Sequence, residues 1–291
     1  MTDPSPSIMN FQISCELEYT LSGPANFLFS LRCIETPEQQ IQSESLVTEP
    51  PFAIEEFSIS GGMNRFSRLN TTDPGPLKLT YQAEVTTAVR VVSVDEIGES
   101  GPGDYPADVI PFLFPSRYCQ SDKIREEAQE LFGHLETPHA IASGVADWIH
   151  DNVSYVSGSS GETSSAMDTF REKQGVCRDF AHLGIAFCRA LNLPARYATC
   201  YAHELDPPDF HACFEVYIGG WWWVFDATRL APLNGLVRIA TGRDAADAAV
   251  CTIFGNPMLN LSAVTCKCTD PDFQPVTRDT LAESNQAIAL L

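Results

Sequence analysis

Apolar and polar positions alternate with period two over the first third of the chain and recur with helical period through its middle. Residues 11–19, 27–34 and 77–85 are short alternating runs separated by Pro, Gly and Asn, a pattern that predicts an antiparallel sandwich or barrel. Residues 99–106 (Glu-Ser-Gly-Pro-Gly-Asp-Tyr-Pro) break any regular structure and predict a linker. Residues 121–132 open on Ser-Asp and carry charges at helical spacing, which predicts a capped helix. Residues 138–153, with Ile141, Val145, Trp148 and Ile149 on one stripe, predict a second helix, and proline suits its first position. From Cys177 onward Phe180, Leu183, Ile185, Ala186, Phe187, Ala190 and Leu191 form a broad apolar stripe and predict a third. Aromatic and β-branched strands follow at 195–201, 211–218 and 221–226, and residues 236–268 hold two or three more that would complete the same sheet. The expected fold is α+β: an N-terminal antiparallel β-sandwich or barrel over 1–100, then a core over 101–291 with helices packed on an antiparallel sheet.

This pattern places one cysteine in the first turn of a helix. Unpaired backbone N–H groups and the positive end of the helix dipole favour a thiolate there, which is what a cysteine nucleophile needs. Gly219-Gly220 between the aromatic runs signals a tight hairpin turn. If those two glycines are the loop, Ile218 faces Trp221, Cys213 faces Asp226, and His211 lies diagonal to Asp226. Diagonal neighbours on one face have Cα atoms about 7–8 Å apart, within reach of an imidazole and a carboxylate. A slip of one residue would turn Asp226 to the other face. The chemical expectation is a triad in which Asp226 orients His211 and His211 takes the proton from Cys177. The bland alternative is a buried structural thiol beside an ordinary surface pair.

The words around these residues are more specific than their spacing. Gly175-Val-Cys-Arg-Asp-Phe-Ala181, Pro194-Ala-Arg-Tyr197, His211-Ala212 with Glu215-Val-Tyr217, and Trp223-Val-Phe-Asp226 together resemble the bacterial transglutaminase-like superfamily. Further likeness extends upstream to Val153-Ser-Tyr155 with Thr163-Ser-Ser-Ala166, and downstream to Thr241-Gly-Arg243-Asp244-Ala-Ala-Asp247. The resemblance implies a papain-like or transglutaminase-like core with Cys177, His211 and Asp226 as catalytic residues, preceded by the β-domain common in bacterial members. It also implies acyl transfer through a thioester. Water would resolve that thioester in a cysteine peptidase or amidase, and an amine would in a transglutaminase; hydrolysis is the favoured expectation. Two departures stand out. Relatives commonly carry His-Ala-Trp and Asp-Pro where this chain has His211-Ala212-Cys213 and Asp226-Ala227. The first removes an aromatic wall and puts a second thiol beside the histidine and the aspartate, which makes Cys213 a candidate cleft residue.

Composition supports a folded enzyme: 44% of the 291 residues are hydrophobic and 19% charged. The net charge of −20 and the lack of any basic run exclude a nucleic-acid partner, so the expected partner is a peptide or protein substrate. The N-terminal segment has neither the basic start nor the apolar core of a signal peptide, and no apolar stretch is long enough to span a bilayer. A cytoplasmic protein with most of its 10 cysteines reduced is expected, off the membrane. No metal or other cofactor is expected: Cys266-Lys-Cys268 has one intervening residue where zinc sites have two to four, and no EF-hand loop occurs. The N-terminal domain carries no chemistry; packing on the core, shaping the cleft or forming a homodimer are its assignable roles.

Other residues admit a plain and a sharp reading. His182 is offset from the thiol's face and reads as a packed histidine, and His203, the one competitor to His211, lacks an acid across a strand. Tyr155 is a candidate oxyanion donor beside the Cys177 N–H. Among Trp221–Trp223, at least one belongs to the core because strand faces alternate. Arg243, Asp244 and Asp247 read first as a structural ion pair and second as cleft lining. Two rival functions remain: a non-catalytic peptide-binding module, and a redox sensor that joins Cys177 to Cys213.

Overall fold

The computed structural model describes residues 6–59 and 62–291, so residues 1–5, which hold most of the segment read as lacking a leader, lie outside the described residues. Six strands come first: β1 (Ser7–Leu21), β2 (Ala25–Phe29), β3 (Gln39–Glu49), β4 (Ile54–Ser58), β5 (Arg65–Thr71) and β6 (Gly75–Ser93). Then follow α1 (Arg125–Phe132), α2 (Pro138–Asn152), β7 (Ser154–Tyr155), α3 (Ala166–Glu172), β8 (Gln174–Gly175) and α4 (Cys177–Ala190). The order ends with β9 (Ala195–Ala202), β10 (His211–Ile218), β11 (Trp221–Phe225), β12 (Leu236–Gly242), α5 (Ala245–Ala248), β13 (Cys251–Phe254), β14 (Met258–Cys268), α6 (Arg278–Glu283) and β15 (Gln286–Leu290).

The period-two run in β1 does what the pattern requires, burying Phe11, Ile13, Cys15, Leu17 and Tyr19 on one face. Two antiparallel sheets make the N-terminal sandwich, one ordered β14-β1-β6-β15 with β3 also on β6, the other β13-β2-β5-β4. Tyr19 of the first sheet packs on Phe27 and Phe29 of the second, with ring centroids 5.2 and 6.4 Å away. The expected strand at 27–34 is the shorter β2; beyond it Leu31, Cys33 and Ile34 are buried without joining a ladder.

The second layer system is an antiparallel sheet, β11-β10-β9-β12, covered by α4. α4 is buried from Asp179 through Ala190, because α1, α2 and α3 cover its other side. A helix enclosed in this way must be apolar or have its buried polar groups partnered, and here Asp179, His182 and Arg189 are the buried polar side chains, each hydrogen-bonded to a group outside the helix. Gly184 permits the close approach to β10: a Cβ there would stand 2.5 Å from the Phe214 ring. α2 begins as expected, with the Thr137 hydroxyl accepting the Ala140 N–H at 3.2 Å and Pro138 in the first turn. The helix expected at 121–132 is interrupted instead. Ser121–Lys123 is a 3₁₀ turn, and fully buried Ile124 takes a φ of −119° before α1 starts.

One expectation about the C-terminal strands is corrected. Only β12 completes the sheet that carries the histidine; β13 pairs with β2, β14 with β1 and β15 with β6. Alternation marks a strand without naming its neighbour, and here β1, β2 and β6 would otherwise present open edges. The two layer systems are also stitched by Gln39, whose side-chain amide donates to the Ile34 and Arg238 carbonyls and accepts the Arg238 N–H. The expected linker is anchored at one end, where the Gly219 N–H donates to the Ser100 hydroxyl at 3.2 Å.

Candidate active site

The loop before α4 is built around one carboxylate. Asp179 accepts the Val176 N–H at 2.9 Å and the Ser160 hydroxyl at 2.9 Å, and it is fully buried. Gly175 leaves room for it, since a Cβ at that position would lie 2.7 Å from the Asp179 Cβ. Cys177 is therefore fixed as the first helical residue, partly exposed, with the unpaired N–H groups of the helix start around it. Neither role of Asp179 is legible from spacing alone, although the Gly-x-Cys-x-Asp run marks the position.

β10 and β11 form the expected hairpin in the expected register, Ile218 opposite Trp221 and Phe214 opposite Phe225. Gly219 and Gly220 take φ values of 57° and 90°, the left-handed conformations this two-residue turn demands. Directly past the last paired residues, His211 Nε2–H donates to Asp226 Oδ2 at 2.8 Å, with both side chains buried. Asp226 Oδ1 in turn accepts the Thr228 N–H at 2.9 Å and its hydroxyl at 2.8 Å. Thr228 was not singled out in the sequence; its signal is the Asp-x-Thr spacing, which lets a side chain fold back on the preceding carboxylate.

The electrostatics of the pair follow from this contact. Burial alone would lower the His211 pKa, but Asp226 and the neighbouring Cys177 thiol outweigh it and hold the imidazole well above its ordinary value. Burial would raise Asp226, and His211 with Thr228 brings it below the usual carboxylate range. With Nε2 committed to Asp226, Nδ1 is the nitrogen left for the Cys177 thiol. Cys177 and His211 line one cleft of about 610 Å³.

Tyr155 is placed near Cys177 by a different route. It pairs with Gly175, two residues before Cys177, in the two-residue parallel bridge of β7 and β8, and its ring packs against Phe180 at 5.9 Å. Burial and the thiol push its pKa up to about 12. Cys213 is placed elsewhere. It is buried beneath the sheet beside Cys200, and that thiol, burial and nearby carboxylates raise its pKa well above the ordinary value. It does not line the cleft, and its sulfur neighbour is Cys200 rather than Cys177.

The remaining singled-out residues hold structure. His182 is buried between Tyr118 and Tyr197, and its Nε2 accepts the Ala245 N–H at 3.1 Å. His203 Nδ1 accepts the Cys268 N–H at 3.3 Å and so ties β14 to the core. Arg243 and Asp247 form a two-bond ion pair at 2.8 and 3.0 Å, while buried Asp244 caps α5 and accepts the Tyr118 N–H. Trp223 is the core member of its triplet, donating Nε1–H to the Ile218 carbonyl at 2.9 Å. Among the described residues no group of three or more His, Cys, Asp or Glu side chains could hold a metal, and no helix is long and apolar enough to cross a membrane.

Residues 125–227, which run from α1 to just past Asp226, match the transglutaminase-like superfamily, and residues 9–100 match the bacterial transglutaminase N-terminal domain. A solved structure described as "a Putative Cysteine Protease from Cytophaga hutchinsonii" is 49% identical over 98% of both chains, with a TM-score of 0.94. The chain belongs to the transglutaminase-like superfamily. Two uncharacterized mycobacterial proteins are also similar. The one from Mycobacterium leprae is 28% identical over 120 residues, which is 38% of this chain and 43% of that protein. The one from Mycobacterium tuberculosis H37Rv is 33% identical over 88 residues, 30% of this chain and 28% of that protein. The matched stretch spans less than half of either mycobacterial protein.

Proposed function

We propose that this transglutaminase-like protein is a cysteine-dependent hydrolase of peptide or amide bonds, with Cys177, His211 and Asp226 as its catalytic residues. The observation that carries the reading is the buried 2.8 Å contact between Asp226 and His211, an imidazole that lines the same cleft as a cysteine at a helix start. Asp226 holds the imidazole with its proton on Nε2, so that Nδ1 takes the thiol proton. The Cys177 sulfur then attacks the carbonyl carbon, and the oxygen gathers the negative charge near the first-turn N–H groups and the Tyr155 hydroxyl. His211 returns its proton to the leaving amine as the carbon–nitrogen bond breaks. Water, deprotonated by the same imidazole, resolves the thioester and releases the acid. Hydrolysis rather than amine transfer is supported by the protease description of the Cytophaga protein and by the partial exposure of Cys177 to water.

The test incubates a mixed peptide and amine library with wild type and with Cys177→Ala and reads mass changes. Cleaved or deamidated peptides, seen with wild type alone, are the expected result. Products carrying an added amine would move the assignment to a transglutaminase. No mass change from wild type would leave a non-catalytic peptide-binding module.

A further inference from the structure

The cleft that holds Cys177 and His211 has the edge of a strand in its wall. β13 pairs with β2 on one side and, among the described residues, with no strand on the other, and Cys251, Thr252 and Ile253 line the cleft. The direction of its backbone groups follows from ladder parity. The Ser30 N–H donates to the Val250 carbonyl at 2.9 Å, which makes Val250 and Ser30 a hydrogen-bonded pair of this antiparallel ladder. Bonded and non-bonded pairs alternate. Thr252 opposite Leu28 is then bonded, whereas Cys251 opposite Phe29 and Ile253 opposite Phe27 are not. The N–H and C=O groups of Cys251 and Ile253 therefore point away from β2, to the open side.

This edge lacks the usual protection. Exposed edge strands are commonly guarded by lysine, proline or a bulge. β13 reads Cys-Thr-Ile-Phe, with Ile253 38% and Phe254 56% exposed. Beside it the cleft is lined by Ala245, Ala246, Ala248 and Ala249, whose methyl groups leave the space open. Ala246, Ala249 and Thr252 also border a second cavity of about 520 Å³, so the groove continues beyond the cysteine.

We propose that the substrate is an extended polypeptide segment with small or apolar side chains, which binds as an added strand on the free edge of β13 and thereby carries a backbone carbonyl to Cys177. The occupant is substrate rather than a second copy of the chain because Cys251, Thr252 and Ile253 line the same cavity as Cys177 and His211. The proposal rests on the reading of Cys177 as the nucleophile. Strand addition supplies affinity through main-chain bonds and leaves sequence preference to alternate side chains.

The experiment compares three alkylating agents on the intact protein: iodoacetamide, iodoacetyl-Val-Ala-Val-amide, and the same peptide with its amide nitrogens methylated. Labelling of Cys177 is followed by peptide mass spectrometry. The peptide reagent should label Cys177 roughly tenfold faster than iodoacetamide, the size expected of one or two backbone hydrogen bonds, and methylation should abolish that advantage. Ile253→Pro removes an N–H that no ladder bond uses, a substitution an edge strand tolerates. It should cut the peptide-to-iodoacetamide ratio roughly fivefold, the loss of one such bond. A methylated peptide as fast as its parent, or an unchanged ratio in Ile253→Pro, would overturn the proposal. So would a dimer in sedimentation whose ratio ignores Ile253→Pro, because a second copy would then cover the edge. Iodoacetamide labelling of Cys177 no faster than of the other thiols would instead defeat its reading as a nucleophile.

Discussion

Thr228 grips one oxygen of Asp226 with both its N–H and its hydroxyl, leaving the other oxygen free to face His211. The carboxylate is held from behind as well as from the front, so its orientation does not depend on the histidine alone. Asp226→Asn should cut turnover by about 10²–10⁴, the range seen when an orienting acid is lost. Thr228→Val should cost about tenfold, the worth of a hydrogen bond to a charged group. Steady-state kinetics on any cleaved library peptide measure both, and equal losses would mean that Thr228 does more than orient.

The buried pair also predicts a pH window for stability. The folded pKa of His211 is raised, so its contribution is fully present below the unfolded value of about 6.5 and is lost as pH rises through the folded value. The folded pKa of Asp226 is lowered, so its contribution is present above the unfolded value of about 3.9 and is lost as pH falls through the folded value. The stability difference between wild type and Asp226→Asn should therefore be largest around pH 4–6.5, between those two unfolded values, and shrink on both sides. Urea unfolding across pH tests this, and a difference that is flat with pH would count against it.

His139 should make the protein acid-sensitive. Burial first, and Arg278 second, lowers its pKa to about 4. Because the unfolded chain takes up this proton near pH 6.5 and the folded chain does not, stability must fall as the solution is acidified between those values. His139→Gln should make the slope of unfolding free energy against pH shallower by about one proton in that interval. A slope that does not change would show that another group takes up the proton.

Glu215 sits fully buried between two arginines, with Arg196 Nε at 2.6 Å and Arg238 Nε at 2.9 Å. Arg238 also donates to the Leu290 carbonyl, so the cluster ties β10, β9 and β12 to β15. Removing the one anion strands two buried cations. Glu215→Ala should destabilise the fold by about 3–5 kcal/mol, the usual effect of breaking a buried ion pair. Thermal unfolding gives the direct reading, and a near-neutral result would mean that water enters the cluster.

The readability of this chain follows the range of the interactions involved. The hairpin register was legible because Gly219-Gly220 fixes the turn length locally, and with it the approach of His211 to Asp226. The helix start at Cys177 was legible for the same reason. β13, β14 and β15 were recognisable as strands but not as partners of β2, β1 and β6, since alternation carries no information about a neighbour far away in sequence. Cys213 was placed on the face of His211 from spacing, yet its burial against Cys200 depends on the register of β9, which no turn specifies. The break at Ile124 likewise comes from tertiary burial, which overrode a good helical pattern.

The pairing of Phe11 with Cys268 and of Val89 with Leu290 means that the first strands made wait for the last. During synthesis β1 and β6 leave the ribosome long before β14 and β15 exist, so the sandwich is completed only after the whole intervening core has been produced. The strand edge proposed to receive substrate belongs to that late-closing sandwich, whereas Cys177 and His211 belong to the intervening core. A nascent chain thus has Cys177 and His211 before it has the wall proposed to present a polypeptide to them.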